Sequence, residues 1–160
     1  MHMQAAITWP PNFQPGKTDK FVSNEIYIRD TTLARIWVYL STITKRETYY
    51  DNFSTFGFPP LQAEVCESVP PTDTVPGRLA WRAWQDGDDD SASKIYHAWI
   101  VEKVPWGRGV VRVLTQESQI GKPAALLAGQ KPNPMLNGYQ AWLGYYRSCN
   151  CILRPDESSI

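Results

Sequence analysis

KIYHAWIVEK, residues 94–103, reads as a β-strand: aromatic and β-branched side chains fill it, and turn material bounds it on both sides. Its upstream neighbour GRLAWRAWQ (77–85) is separated from it by DGDDDSAS, and its downstream neighbour GVVRVLTQESQIG (109–121) by PWGR. Short polar connections of this kind join antiparallel strands. Opposed residues of such a pair share a face, so the centre of each loop predicts which side chains meet. Centring the second hairpin near Gly107 sets Trp99 opposite Thr115 and His97 opposite Glu117; centring the first near Asp89 sets His97 opposite Trp81. One face then collects Leu79, Trp81, Ala83, Ile95, His97, Trp99, Val101, Val111, Val113, Thr115, Glu117 and Gln119. The other collects Arg82, Trp84, Lys94, Tyr96, Glu102, Arg112, Gln116 and Ser118. The first set is the more apolar at its centre and is expected to face inward, an assignment that a one-residue slip would reverse.

Working outward, STFGF (54–58) and LQAEVCESV (61–69) extend the meander upstream, and FVSNEIYIRD (21–30) reads as a first strand. A helix is predicted in TTLARIWVYLST (31–42), capped by Asp30, Thr31 or Thr32, with Leu33, Ile36, Trp37 and Leu40 on one face. A shorter helix or irregular segment is expected over 44–53, with Tyr49, Tyr50 and Phe53 as its apolar content. After Gly121 the period becomes helical again, and Ala124, Leu127, Ala128, Met135, Leu136, Tyr139, Trp142, Leu143 and Tyr146 form an apolar stripe that Pro132 and Pro134 interrupt early. Pro10, Pro11 and Pro15 make residues 1–20 an extended arm; residues 21–148 are expected to form one domain and 149–160 a frayed tail. The fold class is α+β, a curved antiparallel sheet against a long terminal helix.

Sixteen basic and sixteen acidic residues cancel, and a pI near 6.7 provides no excess charge to gather nucleic-acid phosphates or an anionic membrane surface. No apolar run approaches the roughly 20 residues that span a bilayer, and MHMQAAITWPP lacks the pattern of a signal peptide. Three cysteines, Cys66, Cys149 and Cys151, cannot all pair, which favours a reducing compartment. A cytoplasmic protein is expected.

His97 and Glu117 place two titratable groups in an apolar hollow, the raw material of general acid–base catalysis. A histidine in a sheet more often satisfies a buried neighbour or orients a ligand than moves a proton. Seven tryptophans exceed what a small core requires, so Trp81 and Trp99 are read as lining for a flat apolar ligand, together with Thr115, Met135, Tyr139 and the two tyrosines Tyr49 and Tyr50. DGDDD lacks the loop pattern of a calcium site and reads as a solvated hairpin tip. There is no phosphate-cradling glycine loop, nucleophile elbow or zinc-type cysteine pair, so neither cofactor nor metal is expected.

Three stretches, IYIRDTTLARIWVYLST, RLAWRAW followed by YHAWIVE, and VVRVLTQESQIGKPAALLAG followed by MLNGYQAWLGYY, give the chain a resemblance to the SRPBCC superfamily, which includes START domains, polyketide cyclases and birch-pollen-allergen-like proteins. The resemblance spans roughly residues 21–148 and implies a helix-grip fold with a deep cavity between sheet and terminal helix. It also implies binding or conversion of hydrophobic small molecules. Some aromatase-type members place an arginine in the cavity; the nearby Arg82 falls on the outer face by parity. Tyr139 stands where related sequences often show histidine. Two functions follow as expectations: a cofactor-independent enzyme that cyclises, dehydrates or isomerises a polyketide-like or polycyclic compound, or a carrier or sensor of such a ligand.

Overall fold

Strand alternation and the hairpin loops produce one antiparallel sheet. In the computed structural model, residues 4–42, 62–88 and 90–152 are described, with backbone alone at 142 and 145–152. The strands are β1 (Lys20–Ile28), β2 (Gln62–Val69), β3 (Gly77–Trp84), β4 (Lys94–Lys103) and β5 (Val111–Ile120), in the spatial order β1-β5-β4-β3-β2. The helices are α1 (Leu33–Ser41), α2 (Lys122–Ala128) and α3 (Pro134–Ile152), and a 3-10 turn covers Pro11–Phe13 in the arm. The architecture is α+β. STFGF, Tyr49, Tyr50 and the expected second helix lie outside the described residues.

The register has the predicted pairs: His97 opposes Trp81 on one side and Glu117 on the other, and Trp99 opposes Thr115. Arg82 is exposed on the outer face, opposite Tyr96. On the inner face Leu79, Trp81, Ala83, Ile95, Trp99, Val101, Val111 and Val113 join Ile26 and Ile28 of β1, Leu33, Ile36 and Leu40 of α1, and Leu143 of α3 in a single core. α1 begins at the expected place because the Thr32 side chain accepts a hydrogen bond from the Arg35 amide.

The predicted stripe after Gly121 is divided into two helices. Lys131–Pro132 and Pro134 separate them, and Asn133 starts α3 by accepting from the Met135 and Leu136 amides at 3.1 and 3.3 Å. α3 runs to Ile152, so residues 149–152, expected to be frayed, continue the helix. The turn from β5 into α2 needs Gly121: its φ is 123°, and a Cβ there would collide with the Ala92 carbonyl oxygen.

β4 is buried at every position from Ile95 to Glu102. Alternation alone predicts one wet face, and the N-terminal arm explains the difference. Ile7, Trp9 and Phe13 pack on Ala80, Tyr96 and Ala98, where the two alanines leave room for the rings. The arm is also held by polar groups: the Ala5 amide donates to both Glu102 carboxylate oxygens, Arg112 donates to the Ala5 carbonyl, and Arg78 donates twice to the Ala6 carbonyl. Arg112 is in turn paired with Glu102 at 2.8 Å and Glu25 at 2.9 Å.

Leu143 is fully buried and carries the packing of α3 onto the sheet. Leu143→Ala is expected to lower unfolding free energy by about 2–5 kcal/mol in urea titration. A loss below about 0.5 kcal/mol would mean that α3 is not anchored there.

Candidate functional site

Two neighbouring strands and α3 bring one polar cluster together inside the apolar core. β4 supplies His97, β5 supplies Thr115, Glu117 and Gln119, and α3 supplies Tyr139. All five are buried, His97 completely so. Because β5 residues 115, 117 and 119 alternate onto one face, the period of the strand alone assembles the row.

His97 Nε2 lies 2.7 Å from Thr115 Oγ1, and His97 Nδ1 lies 3.2 Å from Glu117 Oε2. The Tyr139 hydroxyl donates to Glu117 Oε2, and the Gln119 amide nitrogen donates to Glu117 Oε1. Glu117 is therefore the hub, and Oε2 is shared between an imidazole and a phenol. Aromatic rings enclose the histidine: centroids of Trp81, Tyr139 and Trp99 are 4.5, 4.8 and 5.2 Å from it.

Burial raises the Glu117 carboxyl above its ordinary range, against the hydrogen bonds from Tyr139 and Gln119 and the charge of Lys20, all of which favour the carboxylate. A carboxyl balanced in this way can give or take a proton with little rearrangement. His97 can receive one through Nδ1 while Thr115 fixes the other nitrogen.

Of the residues singled out from sequence, His97, Glu117, Trp81, Trp99, Thr115 and Tyr139 meet in this cluster. Met135 does not take part: it is half-buried in the first turn of α3. Tyr49 and Tyr50 lie outside the described residues. Sequence reading missed Lys20 and Asn24. Both are buried on the inner face of β1, with Lys20 opposite Gln119 and Asn24 opposite Thr115. Asn24 Nδ2 donates to Gln140 Oε1 at 3.0 Å and to the Leu136 carbonyl at 3.3 Å, tying β1 to α3. The signal was present in the alternation of Val22, Ile26 and Ile28; starting the strand one residue earlier puts Lys20 in phase with them.

The chain can be compared with known proteins on this basis. A crystal structure of hypothetical protein jhp0584 from Helicobacter pylori is 38% identical and superposes with a TM-score of 0.81, covering 94% of this chain and 99% of that one. This chain belongs to the same family. Two other solved structures show lower similarity. Norcoclaurine synthase from Thalictrum flavum, in complex with dopamine and hydroxybenzaldehyde, is 11% identical with a TM-score of 0.48 over 96% of this chain and all of that one. The di-domain ARO/CYC BexL from the BE-7585A biosynthetic pathway is 10% identical with a TM-score of 0.45, covering 84% of this chain and 47% of that one. No protein-family model matches the chain, and no curated protein does so.

The raised Glu117 carboxyl has a consequence for stability. The folded state holds a proton that the unfolded state, with an ordinary value of 4.5, has released. Stability should then fall as pH rises from about 4.5 through the folded-state value. Unfolding free energies measured from pH 4 to pH 8 are expected to show this decline in the wild-type chain and a flatter profile in Glu117→Gln. Parallel profiles would show that Glu117 is not neutralised by folding.

Proposed function

We propose that this protein is a cofactor-independent enzyme that takes a hydrophobic, polyketide-like or polycyclic small molecule between sheet and α3, in the manner of a helix-grip fold, and rearranges it by general acid–base chemistry. The observation that carries this reading is the linked set His97, Glu117 and Tyr139 inside an aromatic enclosure. Such groups cost stability in an apolar interior, and the connection of both Glu117 oxygens to donors offsets only part of that cost.

In the proposed mechanism Trp81 and Trp99 hold the ligand's flat apolar body and select a reactive conformer. His97 takes a proton from a carbon or hydroxyl of the ligand, and Glu117, whose hold on a proton burial strengthens, returns one at the position that becomes neutral or leaves as water. Tyr139 donates to the developing negative charge on Glu117. Cyclisation, dehydration and isomerisation all reduce to such paired transfers and need no redox partner.

The test begins with native mass spectrometry of protein from its own host to identify a retained compound, followed by incubation of that compound with the wild-type and variant proteins. His97→Ala and Glu117→Gln are each expected to lower turnover by about 10²-fold or more while changing ligand affinity only several-fold. Unchanged turnover in both variants would refute the assignment. Tight binding with no change in product mass over long incubation would show a carrier instead.

A further inference from the structure

Among the described residues, Lys20 is the one titratable group of the inner face that the proton-transfer scheme leaves unused. It is 3% exposed, and its Nζ has no hydrogen-bond partner among the described residues. It stands directly opposite Gln119, whose side-chain nitrogen is bonded to Glu117, and two residues along β1 Val22 stands opposite Glu117 itself. Lys17, Lys94, Lys103 and Lys122, by contrast, are all exposed. A lysine normally keeps its ammonium in water by extending its flexible stem. This one does not.

An unpartnered buried ammonium is unfavourable, so the site favours the neutral amine, and burial does lower the Lys20 amine below its ordinary value while Glu117 opposes that shift. A desolvated neutral amine is a nucleophile. An anionic ligand would find no ammonium here to pair with, whereas a neutral carbonyl compound can accept the lone pair of the amine. We infer that Lys20 captures the carbonyl carbon of an aldehyde or ketone ligand as a Schiff base, with Glu117 as its proton carrier. This deepens the reading above and rests on it, since it takes the inner face to be the ligand site.

The step balances without a further reagent. The Nζ lone pair forms the C–N bond, and the carbonyl π pair moves to oxygen, which takes the proton of neutral Glu117. The resulting N–H proton returns to the Glu117 carboxylate, giving a neutral carbinolamine. Glu117 then protonates the hydroxyl, water leaves, and the nitrogen lone pair closes the C=N bond. The product is an iminium beside a carboxylate, an ion pair that answers the charge Lys20 lacks in the free protein. His97, bonded through Nε2 to Thr115 and facing Glu117 through Nδ1, is placed to remove the proton on the carbon next to the iminium.

The experiment is reductive trapping. The full-length protein is incubated with benzaldehyde or with acetaldehyde in the presence of cyanoborohydride near neutral pH, digested and mapped by mass spectrometry, while tryptophan fluorescence reports benzaldehyde binding. The reduced adduct is expected on Lys20 at about tenfold or more the level on Lys17, Lys94 or Lys103. Lys20→Met should abolish that adduct while its unfolding midpoint stays level or rises, because a buried amine with no partner among the described residues has been removed. Glu117→Gln should slow labelling of Lys20 several-fold and leave the exposed lysines unaffected. Benzaldehyde binding with Lys20 unlabelled would overturn carbonyl capture and leave the acid–base site standing. Neither binding nor labelling would overturn both.

Discussion

The contact between His97 of β4 and Glu117 of β5 is the constraint on which the interior is organised. Two polar side chains on adjacent strands can share a dry face only if their strands are in the register that places them opposite one another. A slip of one residue would turn both toward the arm and bring Tyr96 and Ser118 inward. That same register puts Trp81 and Trp99 on either side of the imidazole and leaves Glu117 Oε2 open toward α3, where Tyr139 meets it. Helix position and strand pairing are thus coupled through one carboxylate oxygen.

The sheet is closed on two sides by different means. Inside, aliphatic residues of α1 and α3 surround the polar row, and Asn24 supplies a polar tie to α3 where the apolar packing alone would permit the helix to slide along β1. Outside, the arm covers Ala80, Tyr96 and Ala98 and brings its own main-chain groups to the Glu102–Arg112 pair. Those two charged residues are themselves buried, and their mutual ion pair together with the arm's main-chain groups compensates for the water they have lost.

Much of this order was legible in the chain. Loop centres at Gly107 and Asp89 gave the register, and the register gave the meeting of His97 with Glu117 and Trp81. Strand alternation correctly placed Arg82 outside. It could not reveal that Ser118, on the same outer face, is fully buried and within 2.7 Å of the Thr18 hydroxyl, because burial there depends on an arm distant in sequence. Lys20 escaped for a different reason: a lysine next to a proline-rich segment has the composition of an exposed boundary, and only the cross-strand partner Gln119 shows that it belongs to the interior. Tyr139 was visible as part of an apolar stripe, but its hydroxyl partner is fixed by helix rotation, which a stripe this wide does not specify.

The clamp on the arm reads the polypeptide itself. Glu102 receives the amide hydrogen of Ala5, and Arg112 and Arg78 take up the carbonyl oxygens of Ala5 and Ala6; none of these contacts touches a methyl group. Side-chain identity at Ala5 is therefore free to drift over evolutionary time, with one chemical exception. An imino acid has no hydrogen to offer Glu102 and would leave that buried carboxylate facing an empty position beside its arginine. Ala5 marks a place in the arm where the fold selects against proline, whereas Ala6 offers only a carbonyl that proline would keep.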